Sequence, residues 1–341
     1  MNAIPEPRIR MRSWLFAPGD SGKKMLKATE SDADIVIFDL EDAVVESGKA
    51  DARAAIAEFL AGKSAEERAR LWVRVNPLDG QWTADDLAAV MPAGPGGIML
   101  PKSRGRHDVE QLDSMMSALE QENGIEPGST PVIALVTETA AAMFTTGDYG
   151  GAPRLVGMTW GAEDLADSLG AQSNKDFEGE FAFTYKLARS LCLLGAVAAE
   201  VVPVETIDTN FRDLVALRKR AIEVRRQGYR GMLAIHPAQV PVINEAFTPS
   251  EEEVAEAREI NEGLRAVAVL NGADAQGADN EAALEMIGDI EGIEVLPTSI
   301  VRRKAFPNAA AEGRAILEQS PRDPKAIDEL TALIAAVCIS R

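Results

Sequence analysis

Histidine and cysteine are both scarce in this sequence, with two residues of each among 341. Two histidines are too few for a histidine-rich zinc site. Cys192 and Cys338 lie in apolar segments with helical patterns, which favours buried free thiols over a disulfide. No uncharged apolar run reaches the roughly 18 residues of a membrane span, so none is expected.

Several short motifs that identify enzyme classes are also missing. No G-x-G-x-x-G turn follows the first apolar segment, which argues against a doubly wound dinucleotide-binding sheet. Gly19–Lys24 has the wrong spacing for a phosphate loop, and no G-x-S-x-G supports a hydrolase triad. The stretch 1–12 lacks the apolar region of a signal peptide, so the expected location is the cytoplasm.

Basic residues are also fewer than acidic residues. The chain has 35 Lys and Arg against 54 Asp and Glu, a formal net charge of -19. This balance argues against a nucleic-acid partner and against an anionic membrane surface. An acidic protein that binds an acidic ligand needs a local cation or a metal, which makes the few well-placed Lys and Arg residues informative.

Eight short apolar, β-prone segments are present, most of them followed by a helical pattern. This alternation predicts parallel βαβ units, and eight units in some 230 residues favour a (β/α)8 TIM barrel. After Pro249 the pattern becomes mostly helical, so we expect a catalytic barrel over 1–245 and a helical lid or oligomerisation region over 246–341. The eight predicted strands end at residues 17, 38, 75, 100, 136, 160, 207 and 235.

Three local expectations accompany this assignment. An alanine-rich helix is predicted after Glu138-Thr139, and Asn271–Asn280 is predicted to be a mobile loop. Ser250 and Glu253 have the spacing of a capping box at the start of a helix.

Carboxylates dominate the residues that follow the predicted strands. The densest group is Asp39, Glu41 and Asp42, at the end of Ile35–Phe38. A barrel brings strand ends together at its active-site face, where such a group can hold Mg²⁺. Further polar residues at strand ends are Asp20, Arg74, Asn76, Lys102, Glu138, Glu163, Asp164, Asp208 and His236.

Each of these residues also has a structural interpretation. Glu138 and Asp164 could stabilise helix N-termini, although Gly161 suggests close approach of a ligand to the backbone. Arg74 lies in an apolar run and requires an anionic partner, either structural or a substrate. Lys102 also follows a predicted strand, so a mechanism in which its amine forms a Schiff base with a carbonyl substrate stays open. Lys23 and Lys27 share a helix face that is either solvated or binds phosphate.

Several of these stretches together resemble the HpcH/HpaI aldolase and citrate lyase β-subunit superfamily, on its CitE-like side, which includes citryl-CoA, malyl-CoA and citramalyl-CoA lyases. They occur in order over roughly 12–250. The matching stretches are Arg12–Gly19, Ile37–Val44, Val73–Pro77, Leu100–Lys102, Glu138–Ala140, Gly161–Leu165, Ile207–Thr209 and Ala234–Gln239, with Asn244 and Phe247.

The resemblance implies a role for individual residues. Glu138 and Asp164 would hold Mg²⁺, while Arg74, Gly161, Ala162 and Glu138 would bind substrate. Arg74 would act in catalysis, with Glu41 and Asp42 organising it and the metal-bound waters. Lys23 and Lys27 would meet the phosphates of coenzyme A. Family members commonly form homotrimers or homohexamers whose C-terminal lid covers a neighbouring subunit's site.

The C-terminal lid departs from the family pattern. The family's G-K-M-[IV]-D stretch carries a catalytic Asp, and the nearest match here is Glu285–Asp289, shifted by one residue and without the Gly-Lys. Asp289 is therefore the candidate lid acid. A second departure, Met232 in place of Lys, falls at the start of the eighth strand, where we expect a structural effect at most.

The function predicted from these observations is a Mg²⁺-dependent carbon–carbon lyase that cleaves a 3-hydroxyacyl-CoA thioester to an acyl-CoA and a 2-oxo acid. Three alternatives stay open: a malyl-CoA thioesterase, a CoA-independent 4-hydroxy-2-oxo-acid aldolase, and a non-catalytic subunit of a lyase complex.

Overall fold

The computed structural model describes residues 10–260, 266–273, 280, 284, 287, 293–296, 299–301, 303, 306 and 323–338. The chain folds into two compact units, with the division between Pro249 and Ser250. Each unit is described by itself. Asp289 lies outside the described residues.

The first unit is a closed barrel of eight parallel strands in chain order, with β1 pairing with β8. This confirms the predicted (β/α)8 TIM barrel. The strands are β1 Ser13–Pro18, β2 Ile35–Asp39, β3 Leu71–Arg74, β4 Gly97–Leu100, β5 Val132–Leu135, β6 Leu155–Thr159, β7 Val202–Glu205 and β8 Gly231–Ala234.

Helices connect most of these strands. The α-helices are α1 Gly22–Thr29, α2 Lys49–Ala61, α3 Ala65–Arg68, α4 Thr83–Val90, α5 Arg106–Glu122, α6 Ala162–Leu169, α7 Phe183–Ala198, α8 Leu214–Gln227 and α9 Gln239–Ala246. Short 3₁₀ turns span Glu46–Gly48, Met91–Ala93 and Ala142–Phe144.

The interior of the barrel is packed with large side chains, as expected for strands that are buried on both faces. Trp14 and Trp72 are fully buried and meet edge to face, with ring centroids 5.0 Å apart. Gly97 makes this packing possible, since a Cβ there would lie 2.5 Å from the Trp72 ring. The interior is therefore a solid core, and open space lies above it at the strand ends.

The prediction of an alanine-rich helix after Glu138-Thr139 is wrong. A 3₁₀ turn over Ala142–Phe144 takes its place. Hydroxyl groups explain this, because Thr139 accepts from the Ala142 N–H and Thr146 donates to the Ala142 carbonyl. Such local side-chain bonds compete with the helical ladder.

The second unit begins with α10, Glu251–Ile260, which is capped as predicted. The Ser250 hydroxyl accepts from the Glu253 N–H, and the Glu253 carboxylate accepts from the Ser250 N–H. The last described helix is α11, Pro324–Cys338. In the described part of the chain, no helix is both long and apolar enough to cross a membrane.

The described part of the second unit contains short strands as well as helices, whereas the sequence predicted a helical region. Strands β9 Ala266–Ala268 and β11 Ile293–Val295 pair in parallel, as do β10 Asn271–Ala273 and β12 Ile300–Val301. Part of the predicted Asn271–Asn280 loop is therefore strand. Segments of two or three residues are too short for a period-2 pattern, which is why the sequence did not reveal them.

Candidate active site

A cavity of about 410 Å³ opens at the carboxyl-terminal ends of the barrel strands. It lies where the predicted strand-end residues meet. Its polar lining is formed by Asp39, Asp42, Arg74, Glu138, Gly161, Glu163, Asp164 and Thr206, and its apolar lining by Phe16, Pro18, Ala43, Leu135, Ala162, Ile207, Leu233 and Ile235.

Arg74, at the end of β3, is the buried cation of this cavity. Its Nε and Nη2 atoms each donate to one oxygen of Asp39 over 2.7 Å, and Nη1 lies 2.8 Å from Glu41 and 3.3 Å from Asp42. Burial alone would raise the pKa of Asp39, but the adjacent guanidinium lowers it below its usual value. The pair therefore stays ionised, with the Arg74 plane fixed by a two-point contact.

The backbone after β2 is folded around the same aspartate. Asp39 accepts hydrogen bonds from the N–H groups of Glu41 and Ala43, over 2.9 and 3.1 Å. Below the turn, the Lys49 ammonium donates to the carbonyls of Leu40 and Glu41. This turn brings Glu41 against Arg74 from behind the cavity lining, so Glu41 acts on the site through its neighbours.

Glu138 and Asp164 arrive from two other strands and both line the cavity. Glu138 follows β5, is 2% exposed and accepts from the Lys102 N–H over 2.5 Å. Gly161, before α6, makes room for it, since a Cβ there would lie 2.9 Å from Glu138 Cγ. Burial, followed by the charges of Glu41 and Asp164, raises the pKa of Glu138 well above its usual value.

These two carboxylates fit one kind of metal. Among the described residues, no three His, Cys, Asp or Glu side chains converge closely enough to enclose an ion. A structural zinc site is thus not formed there. Two hard oxygen donors facing an open cavity suit Mg²⁺, which usually keeps water and substrate oxygens as its other ligands.

Lys102 was predicted only as a strand-end residue and a possible Schiff-base lysine, and the structure gives it several contacts in the site. Its ammonium lies 2.6 Å from Glu41 and 3.0 Å from Asp164. Burial alone would lower the pKa of Lys102, but these carboxylates raise it. An ammonium held in this way is charged, so the Schiff-base mechanism that the sequence left open receives no support. Its positive φ of 52° points its N–H at Glu138, and no sequence signal indicates this conformation.

A second cavity of about 380 Å³ adjoins the first and shares Phe16, Pro18 and Ile235 with it. Lys24 and Lys27 of α1 line it, together with His236. Lys23 is exposed on the same helix but does not line this cavity. The lysine pair that faces the strand ends is therefore 24 and 27, where the sequence analysis named 23 and 27.

Of the predicted site residues, Arg74, Asp42, Gly161, Ala162, Glu138 and Asp164 line the first cavity. Glu41 lies behind it, and Lys27 lies in the second cavity. Asp39 was predicted to follow a strand that ends at Phe38, and its two-point contact with Arg74 is new. That contact could have been inferred from an Arg and an Asp at the ends of consecutive strands.

Comparison with known proteins agrees with this geometry. The HpcH/HpaI aldolase/citrate lyase family model matches residues 12–237. The chain belongs to this family. It is 34% identical over 243 residues to a (3S)-malyl-CoA thioesterase of Cereibacter sphaeroides, a match that covers 71% of this chain and 79% of the relative.

Two solved structures of the citrate lyase β-subunit type are also similar. One is the Mycobacterium tuberculosis citrate lyase β subunit with oxaloacetate and magnesium, at 32% identity and a TM-score of 0.61, covering 70% of this chain and 98% of that one. The other is protein CitE of the same organism with magnesium, acetoacetate and coenzyme A, at 32% identity and a TM-score of 0.63, covering 76% and 90%.

Proposed function

We propose that this protein is a Mg²⁺-dependent lyase that cleaves the carbon–carbon bond of a 3-hydroxyacyl-CoA thioester, of the citryl, malyl or citramalyl type, to an acyl-CoA and a 2-oxo acid. The observation that carries the proposal is the convergence of Glu138, Asp164 and Arg74, from three different strands, on one cavity. The magnesium, 2-oxo acid and coenzyme A named for the solved relatives support it.

Glu138 and Asp164 would hold the metal. When bound, Mg²⁺ supplies a Lewis acid and a template for the carboxylate and adjacent oxygen of a 2-oxo acid. Because burial and neighbouring acids raise the pKa of Glu138, this carboxyl would give up its proton when it becomes a ligand. The ammonium of Lys102 holds Asp164 at the cavity wall in the same site.

Arg74 would stabilise the thioester half. Asp39 takes the Nε hydrogen and one Nη2 hydrogen, while Nη1 faces Glu41 and Asp42, which leaves the second Nη2 hydrogen for a substrate oxygen. Cleavage sends the bonding electrons into the thioester and places negative charge on its oxygen. A fixed guanidinium donor there lowers the barrier.

A carboxylate would accept the proton of the 3-hydroxyl group. Asp42 lines the cavity with a side chain that is 56% exposed, so it can exchange protons with water. Asp289 remains the candidate lid acid predicted from the sequence.

The second cavity is proposed to bind the phosphates of coenzyme A, through Lys27 and its neighbour Lys24, with Lys23, which does not line this cavity, as a further candidate. We also propose a homotrimer or homohexamer, which the exposed apolar side chains of α7 support.

The test is to incubate the purified chain and Mg²⁺ with acetyl-CoA or propionyl-CoA and glyoxylate, pyruvate or oxaloacetate, and to follow the CoA esters by mass spectrometry. A condensed hydroxyacyl-CoA is expected with one pair and should disappear in Glu138→Gln. Absence of product with every pair would contradict the proposed reaction.

A thioesterase is the second candidate, because a relative with 34% identity carries that name. Hydrolysis of malyl-CoA would use the same metal and Arg74, with water attacking the thioester. Free thiol that appears without any acetyl-CoA would support hydrolysis, whereas acetyl-CoA and glyoxylate would support the lyase.

A further inference from the structure

A buried lysine, Lys49, lies beneath the turn that follows β2. It is the first residue of α2 and is 6% exposed. Its ammonium donates to the Leu40 carbonyl over 2.6 Å, and to the Glu41 carbonyl and the Asn76 side-chain oxygen over 2.8 Å each. An ammonium has three hydrogens to donate, whereas a neutral amine has fewer, so the three bonds require the charged form.

None of the three acceptors of Lys49 is a carboxylate. Burial lowers the pKa of Lys49, while the charges of nearby carboxylates act in the opposite direction. In decreasing order of effect, these belong to Asp39, Asp86, Glu41 and Asp42. Carbonyl oxygens therefore hold the buried charge directly, and the ammonium in return fixes the carbonyl groups that face it.

The third acceptor, Asn76, is anchored on its other side. Its amide nitrogen donates to Asp86 over 2.6 Å and to the Leu40 carbonyl over 3.1 Å. Asp86, in α4, is fully buried and also accepts from Arg53 of α2 over 2.6 Å. The turn after β2 is therefore tied through Lys49 and Asn76 to two helices.

The same turn positions the guanidinium of Arg74. The Glu41 carboxylate lies 2.8 Å from Arg74 and 2.6 Å from Lys102. The Glu41 N–H donates to Asp39, which makes the two-point contact with Arg74. A shift of the Glu41 backbone would therefore disturb the contacts that orient Arg74.

We infer that Lys49 is a positioning residue of the active site, whose ammonium fixes the Leu40 and Glu41 carbonyls and through them the orientation of Arg74. Lys49 is not part of the cavity lining, so it acts through these neighbours. A misplacement of about 1 Å at a group that contacts substrate can cost roughly 100-fold in rate. The inference rests on the proposed function, since it takes Arg74 as the group that stabilises the thioester oxygen.

The first test is Lys49→Met, which fills similar space but has no hydrogen to donate. With a substrate pair that the wild type turns over, kcat should fall about 10- to 100-fold. Mg²⁺ affinity, measured by calorimetry, should stay close to the wild-type value, because Glu138 and Asp164 follow other strands. Lys63→Met, just beyond the opposite end of α2, removes an ammonium that contacts Glu67 at the surface and should keep the wild-type kcat. Circular dichroism checks folding.

Lys49→Ala permits a chemical rescue, because the atoms removed beyond Cβ are those of n-propylamine. Added propylammonium should restore kcat at least about tenfold and in a saturable way, since hydrogen bonds from a charged donor are strong. Propanol has a similar shape without the charge and should restore little. Propylammonium should also have no effect on Lys49→Met, in which the methionine side chain fills the space.

A double variant tests the path through Arg74. If Lys49 acts through that guanidinium, Lys49→Met should cost much less kcat in an Arg74→Lys background than in the wild type. Three results would overturn the inference and leave the lyase proposal standing: wild-type kcat in Lys49→Met, no specific rescue of Lys49→Ala by propylammonium, or equal losses in both backgrounds. A wild type that turns over no substrate pair would contradict the proposed function and this inference together.

Discussion

Arg74 illustrates how one side chain is specified by several partners. Asp39 fixes its plane, Glu41 and Asp42 face one nitrogen, and the ring of Phe16 lies 5.0 Å from its central carbon. The three carboxylates lie at the end of β2 and in the turn that follows it, whereas Phe16 belongs to β1. Replacing Arg74 by lysine keeps the positive charge but removes the planar guanidinium and its two-point contact. Such a variant therefore distinguishes the effect of orientation from the effect of charge.

We expect Arg74→Lys to lower kcat/KM about 100-fold, because one ammonium cannot reproduce the two-point contact and still donate to substrate. Steady-state kinetics measure this, with circular dichroism to check folding. Arg12→Lys is the matched control, since Arg12 makes the same two-oxygen contact with Asp34 at the start of β1. A similar loss of activity in both variants would indicate a general folding defect.

The proposed role of Glu138 as a Mg²⁺ ligand predicts that metal binding depends on pH. Burial and the charges of Glu41 and Asp164 raise its pKa, so the metal-free folded protein binds this proton more tightly than the unfolded chain. Its contribution to the free energy of unfolding is therefore present at low pH and is lost as the pH rises through the raised pKa.

Mg²⁺ requires the ionised carboxylate, so apparent Mg²⁺ affinity should rise with pH, by up to about tenfold per unit, and level off above the raised pKa. At a pH below the raised pKa, calorimetry in two buffers of different ionisation enthalpy should also detect the release of up to one proton per ion bound. In Glu138→Gln the proton release should vanish. Affinity that is flat with pH in the wild type would show that Glu138 is not a ligand.

At the scale of secondary structure, the turn before α6 leaves little space for a side chain at Gly161. A Cβ on Gly161 would lie 2.9 Å from Glu138 Cγ and 3.1 Å from its Oε1, so the buried carboxylate would have to shift from its position. Gly161→Ala should weaken Mg²⁺ binding about 10- to 100-fold, the range seen when the groups that orient metal ligands are disturbed. Gly147→Ala, with no atom within 4 Å of the added methyl group, should bind Mg²⁺ like the wild type.

The strands were the most predictable elements. The predicted third strand, Leu71–Val75, differs from the observed Leu71–Arg74 by one residue. Strands that are buried on both faces are short and mostly apolar, which makes their positions predictable. The strand ends then predicted where Glu138 and Asp164 would meet. The conformation of Lys102 could not be predicted, since a positive φ in a non-glycine residue is imposed by tertiary contacts.

The buried position of the Lys49 ammonium could not be predicted either, for a related reason. Lys49 is the first residue of α2, where a lysine normally indicates a solvated surface. Instead its ammonium is buried and donates to Leu40, Glu41 and the Asn76 side chain. Its role depends on the packing of α2 under the turn after β2, which no local pattern reports.

Across the whole molecule, α7 carries an apolar face that the barrel does not use. Phe183, Leu187, Leu194 and Val197 are all exposed, and their spacing places them along one side of the helix. A contiguous exposed apolar surface of this kind usually marks a protein interface. Together with the homotrimer or homohexamer expected from the family resemblance, it predicts that copies of this chain associate through α7.

Light scattering coupled to gel filtration tests this association. We expect a mass that is a multiple of the 36.5 kDa chain. Leu194→Glu should shift that mass towards the monomer, because a carboxylate buried in an apolar interface has no partner. Leu169→Glu changes an exposed leucine of α6 in the same way and should leave the mass unchanged. A wild-type mass of one chain at all concentrations would contradict the predicted oligomer. If Leu194→Glu kept the oligomeric mass, the interface would have to lie on another face of the molecule.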